Sequence, residues 1–112
     1  MRPITVSVAP PATESSWVRF DDWAFPQVSV QCNPSGGANY TVQQTLDDPN
    51  SPTNPVAVGS VTWLNSPAAN LVGATTAQQA TLNSAPIFAK VVLNNATGSV
   101  TATFVQFSNN PA

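Results

Sequence analysis

The sequence contains no histidine, a single cysteine and only eight charged residues among its 112 positions. Each shortage excludes something. Without histidine an ordinary zinc site is out of reach, and one thiol cannot form an intrachain disulfide. The three cations are Arg2, Arg19 and Lys90. They are too few to neutralise a run of phosphates or to build a basic membrane-binding face, so neither nucleic acid nor a membrane surface is an expected partner. The usual general bases are nearly exhausted as well. The five carboxylates are Glu14 and two adjacent pairs, Asp21 with Asp22 and Asp47 with Asp48. Adjacent residues on a strand or turn point in different directions, so neither pair reads as a catalytic dyad, and the chain is expected not to be an enzyme and to need no cofactor. No apolar run of 18 residues or so suggests a membrane span, and the opening M-R-P-I-T-V-S-V does not resemble a signal peptide, which points to synthesis in the cytosol. Asn39-Tyr40-Thr41 and Asn95-Ala96-Thr97 therefore read as chance matches to the glycosylation sequon.

What is abundant is neutral polarity: 12 Thr, 11 Ser, 11 Asn and 7 Gln. Such a surface hydrogen-bonds without long-range repulsion and suits a protein that docks on something larger, although an ordinary soluble β domain has the same chemistry. Residues 28–46 organise the chain. Val28, Val30 and Cys32 alternate with Ser29 and Gln31, and Tyr40, Val42 and Leu46 alternate with Thr41, Gln43 and Thr45. This is the period of two of half-buried strands, and N-P-S-G-G-A-N between them supplies turn chemistry, so an antiparallel hairpin is expected. Cys32 falls on the apolar face, as a buried structural thiol. Residues 86–93 and 99–107 form two further strands around Asn94-Asn95-Ala96-Thr97-Gly98 and read as a second hairpin. Packing the two hairpins face to face gives a sandwich.

The remaining segments are less regular. Ile4, Val6 and Val8 alternate with polar residues until Pro10-Pro11, forming an edge strand that either joins its own sheet or reaches to a neighbouring subunit. Four of nine aromatics lie at Trp17, Phe20, Trp23 and Phe25, around Arg19. This cluster is either a core plug or an exposed contact patch, since Trp and Arg dominate interfaces. Residues 47–55 are a Pro/Asn/Asp loop, in which Asp47, Asp48 and Asn50 lack the spacing of a calcium loop. Residues 56–64 read as an apolar strand bent at Gly59, with Trp63 as a core residue or sheet-end cover. Residues 65–83 suit irregular structure with short strand pairing, and a short helix over 74–82 competes. The expectation is an all-β antiparallel sandwich of six to eight short strands, with residues 1–15 as an N-terminal arm, 16–108 as the sandwich and 109–112 as a tail.

Tyr40-Thr41-Val42-Gln43-Gln44-Thr45-Leu46-Asp47-Asp48, Trp63, Ala85-Pro86 opening a valine-rich strand, and Gly98-Ser99-Val100-Thr101 leading to Gln106 together resemble the small head decoration, or cement, proteins of tailed bacteriophages. The likeness covers roughly residues 28–107. It implies a jelly-roll-like sandwich on the capsid exterior that bridges major capsid proteins and stabilises the shell. The arm (Ile4, Val6, Val8) and the aromatic segment (Trp17, Arg19, Phe20, Trp23, Phe25) are the expected contacts, the arm being dispensable for folding. A homo-oligomer is expected, a trimer before a dimer. The alternative is a tail, neck or fibre adaptor or receptor-binding module, where Trp23 beside Asp21 and Asp22 would suit a carbohydrate. A phage-encoded inhibitor of a host protein is a further possibility.

Overall fold

The computed structural model describes residues 3–20, 28–82 and 86–106. Eight strands run in order: β1 (Ile4–Val8), β2 (Val18–Arg19), β3 (Val28–Ser35), β4 (Tyr40–Thr45), β5 (Leu64–Asn65), β6 (Gln78–Leu82), β7 (Phe88–Leu93) and β8 (Ser99–Gln106). They form two antiparallel four-stranded sheets, ordered β1-β8-β3-β6 and β2-β7-β4-β5. Successive nested pairs, β1 with β8, β2 with β7, β3 with β6 and β4 with β5, are all hydrogen-bonded. This is one long antiparallel ribbon rolled onto itself and closed by β3 with β8 and β4 with β7, the topology of a jelly roll.

The alternating residues meet between the sheets. Val28, Val30 and Cys32 of β3, Tyr40 and Val42 of β4, Ala89 and Val91 of β7, and Val100, Ala102 and Phe104 of β8 are almost wholly removed from water. Each valine so buried contributes roughly 1.5–3 kcal/mol against an exposed one. Val18, Phe20, Leu71 and Leu82 complete this core, and the Phe20 and Phe104 rings lie 5.9 Å apart.

Neither expected hairpin forms. β3 and β4 lie in opposite sheets, as do β7 and β8, so each turn is an arch that crosses the sandwich. The two arches stack at one end. Gly36, Gly37 and Gly98 take positive φ, and a Cβ on Gly98 would collide with the backbone of Ser35, Gly36 and Ala38. Asparagine side chains tie the arches together: Asn94 Nδ2 donates to Asn39 Oδ1 at 2.8 Å and Asn95 Nδ2 to the Gly37 carbonyl at 3.1 Å. Turn residues thus mark where the chain reverses, and the partners of the flanking strands decide the plane of the reversal.

Of three other expectations, the strand over 56–64 fails, while short strand pairing within 65–83 and pairing of the N-terminal strand with its own sheet are observed. Residues 56–64 are not a continuous strand. Val58–Ser60 form a 3-10 turn closed by the Ser60 N–H on the Ala57 carbonyl, and Thr62 N donates to Asp47 Oδ2 at 2.7 Å, so this backbone bonds locally and only β5 joins the sheet. Within residues 74–82 no helix forms; Gln78–Leu82 are the strand β6, paired with β3, and its Leu82 is part of the core. The N-terminal segment pairs with β8 over its whole length and Val8 is 3% exposed, so β1 is the outer strand of its own sheet and contributes to the core.

Candidate interaction face

Residues on β2, β4 and β7 that point away from the core build the outer face of the second sheet. On β7 the inward positions are Ala89, Val91 and Leu93, which leaves Phe88 and Lys90 outward, opposite Thr45 and Gln43 of β4. On β2 Val18 is inward, so Arg19 is outward, paired with Phe88. Trp17 precedes β2 and Trp63 precedes β5; the two indoles touch, and Trp17 also meets Phe88.

The result is a continuous ladder of rings and charges. The Trp17 ring centre lies 4.9 Å from that of Trp63 and 5.4 Å from that of Phe88, both edge-to-face. Arg19 Cζ stands 5.3 Å above Phe88, and Lys90 Nζ 4.4 Å above Trp63. Both cations are paired with acids: Lys90 Nζ with Glu14 Oε2 at 2.8 Å, Arg19 with Asp48 at 3.3 Å. The Asn50 backbone N–H, foremost, and the Arg19 guanidinium hold the Asp48 carboxyl below its ordinary range. The ladder grades from covered to open. The Lys90 side chain is 9% exposed, whereas Arg19 and Glu14 are about half exposed and the two indoles are half-buried. Phe88 is 8% exposed, so what this face offers a partner is the open rim of the two half-buried indoles and the Arg19 guanidinium, groups with little side-chain freedom left to lose, the chemistry of an interface anchor.

The residues singled out in the sequence divide accordingly. Trp17 and Arg19 lie on this face. Phe20 is core, the plug that was one of the two readings of its segment. Ile4, Val6 and Val8 belong to the opposite sheet and so do not share the ladder's outer face, with only Ile4 substantially exposed among them. Trp23, Phe25, Asp21 and Asp22 lie outside the described residues. Glu14, Trp63, Phe88 and Lys90 complete the face without having been singled out for it. The one sign of it in the sequence was Lys90, a lone charge inside the apolar strand P-I-F-A-K-V-V-L.

The other chemically active groups are engaged in structure. Burial pushes the Cys32 thiol up to about 11, although a hydrogen bond with Tyr40 works the other way, so the thiol is inert at neutral pH. Asp47 and Asp48 bond to loop N–H groups and to Arg19, and no group of three metal-ligating side chains occurs among the described residues.

The outer face of the first sheet is the chemical opposite of this one. Its four strands contain no charged residue. Thr5, Thr103, Gln31 and Gln79 form a row across all of them, and Ser7, Thr101 and Asn33 a second row over three. Threonine hydroxyls touch across β1 and β8 at 3.1 Å. No protein-family model matches this chain, and neither the curated proteins nor the solved structures compared with it include a match.

Proposed function

We propose that this chain is a capsid decoration protein, which docks on the outside of a phage shell and stabilises it by bridging neighbouring major capsid proteins. The observation that carries the reading is the half-buried, edge-to-face pair Trp17 and Trp63, seated through Trp17 on the buried Phe88 with the half-exposed Arg19 beside it, an anchor-type rim on a protein otherwise poor in charge. The resemblance of residues 28–107 to cement proteins supplies the partner, and a jelly-roll sandwich is an architecture used in capsid domains. Fold by itself does not fix function, so the weight rests on the face and the resemblance together.

In this role the protein is made in the cytosol and joins the virion exterior as a homo-oligomer, a trimer at local threefold positions. It needs no cofactor and performs no catalysis. Modest contacts at each site suffice, because a subunit that engages several capsid proteins at once gains affinity from effective concentration. The test is co-sedimentation of purified protein with undecorated heads, followed by cryo-electron microscopy. Regular density at symmetry-related sites with the ladder turned to the shell is the expected result, and Arg19→Ala is expected to lower occupancy without changing the melting temperature. Failure to bind, with the protein found in tails or absent from virions, overturns the reading.

A second reading, a receptor-binding module of the tail or fibre, is favoured by the uncharged face of the first sheet. Two shallow grooves there, of about 390 and 280 Å³, share Gln31 and Gln79. Amides and hydroxyls that both donate and accept suit the hydroxyls of a neutral sugar. Silence on a glycan array removes that version.

A further inference from the structure

The seam beside β5 holds a groove that the ladder does not use. It has a volume of about 410 Å³ and is lined by Gln44, Leu46, Asp47, Thr62, Leu64 and Pro67, among others. Leu64 is registered against Gln44, so the two share one face of the sheet. Gln44 is on the inner, core-facing side, next in alternation after Tyr40 and Val42, and is 8% exposed. Leu64, on that same inner face, is nevertheless 65% exposed, and Leu46 at the groove's edge is 66% exposed. The sandwich is therefore open at this corner, with an apolar wall facing water.

Gln44, one of the lining residues, carries an unsatisfied polar atom just behind the groove wall. Gln44 Oε1 is the one fully buried side-chain oxygen or nitrogen without a hydrogen-bond partner among the described residues. Leaving such an acceptor unpaired costs about 1–3 kcal/mol. Beside it β5 is an outer strand whose one neighbour among the described residues is β4, and none of those residues pairs with its far edge, which leaves that edge a template for another extended segment.

We infer that this groove is a receptor for an extended peptide segment of a partner protein, which adds as a strand to β5 and inserts a tryptophan between Leu46, Leu64 and Pro67, the Gln44 amide turning into the groove so that its Oε1 accepts the indole N–H. Tryptophan follows from the chemistry of the site. The walls ask for a large apolar body and Gln44 for a donor, and indole is the side chain that combines the two while carrying no acceptor of its own. Strand addition supplies affinity through the backbone, and the pocket selects the side chain. The inference goes beyond docking on a shell and does not require it, since the ladder and the groove are separate surfaces.

The probe is the capped tripeptide acetyl-Val-Trp-Val-amide, compared with the same peptide carrying 1-methyltryptophan, which keeps the ring and loses the donor. NMR titration of the labelled protein reads the Gln44 side-chain amide, the Leu46 and Leu64 methyls and the backbone amides of β5. Saturating shifts are expected at these groups, with the methylated peptide binding about 5-fold more weakly, the worth of one hydrogen bond near 1 kcal/mol. Gln44→Leu is expected to bring the two peptides to equal affinity, and Leu64→Ser to weaken both. Equal affinity of the two peptides for the unaltered protein, or shifts elsewhere than at the groove, overturns the inference. Peptide binding by a protein that does not sediment with heads leaves the groove standing and removes only the shell reading.

Discussion

Lys90 Nζ lies 4.4 Å from the centre of the Trp63 ring and 2.8 Å from Glu14 Oε2, so one ammonium, almost fully covered, is held between an aromatic face and a carboxylate. Residues far apart in sequence meet there because Glu14 bridges to Val92, beside Lys90 on β7, while Trp63 arrives with the loop before β5. Removing one partner of such a pair is worse than removing the charge altogether. Glu14→Gln is expected to lower unfolding free energy by about 1 kcal/mol, discounted because Glu14 is half exposed. Lys90→Met is expected to stay within about 1 kcal/mol of the parent. Urea denaturation of the two variants checks the order, and a Lys90→Met protein markedly less stable than Glu14→Gln would contradict it.

The stacked arches make Gly98 irreplaceable. It combines positive φ with backbone contacts that leave no room for a Cβ, whereas Gly59 has open space around it. Gly98→Ala is expected to cost about 3 kcal/mol or more. Gly59→Ala is expected to fall within about 0.5 kcal/mol of the parent. Thermal unfolding of both variants distinguishes a packed crossing from an ordinary loop.

Stability should decline at alkaline pH. Burial raises the Cys32 thiol from 9.0 to about 11 and, with the Cys32 charge and hydrogen bond adding to it, the Tyr40 hydroxyl from 10.0 to about 12. Above pH 9 the unfolded chain loses these protons while the folded one retains them. The unfolded state then binds fewer protons, and unfolding free energy falls as pH rises, by up to about 1.4 kcal/mol per pH unit for each group. The loss begins near pH 9 and is complete near pH 12. Tyr40→Phe is expected to be less stable at neutral pH, since the Tyr40 hydroxyl donates to the Thr76 carbonyl at 2.8 Å, and to show a shallower alkaline decline. Denaturation at stepped pH measures both, and a flat profile between pH 9 and 12 would contradict the assignment.

Truncation of the first nine residues is expected to damage the fold itself. It removes β1, one of the two partner strands of β8, and the buried Val8, whose burial alone is worth roughly 1.5–3 kcal/mol. The truncated protein is expected to melt well below the parent and to associate through the uncovered β8 edge. Unchanged melting would return residues 4–8 to the role of a dispensable arm.

Alternation of side chains was enough to locate β1, β3, β4, β7 and β8, because a strand between a core and water carries its period in its own residues. Pairing was not legible in the same way. Pro34, Gly36 and Gly37 announce a reversal, yet the same residues serve a hairpin within a sheet or an arch between sheets, and only the long-range partners β8 and β7 decide. The two-residue β5 left no periodic trace, since V-A-V-G-S-V-T-W-L is held by the Asp47 carboxylate and a local turn. The candidate face was half legible. Trp17 and Arg19 stand out by residue type, but their partners Phe88, Lys90 and Trp63 reach them through cross-strand register, which no local window contains.

The pairing of β1 with β8 bears on how the protein is made. In the first sheet β8 lies between β1 and β3, so neither can complete its hydrogen bonding until the ribosome has delivered residues 99–106. Earlier in translation those edges have no native neighbour, and closure joins strands nearly the full length of the chain apart, which makes folding slow and late. Partly synthesised chains consequently lack the closed sandwich, and only molecules with β8 in place carry both finished faces.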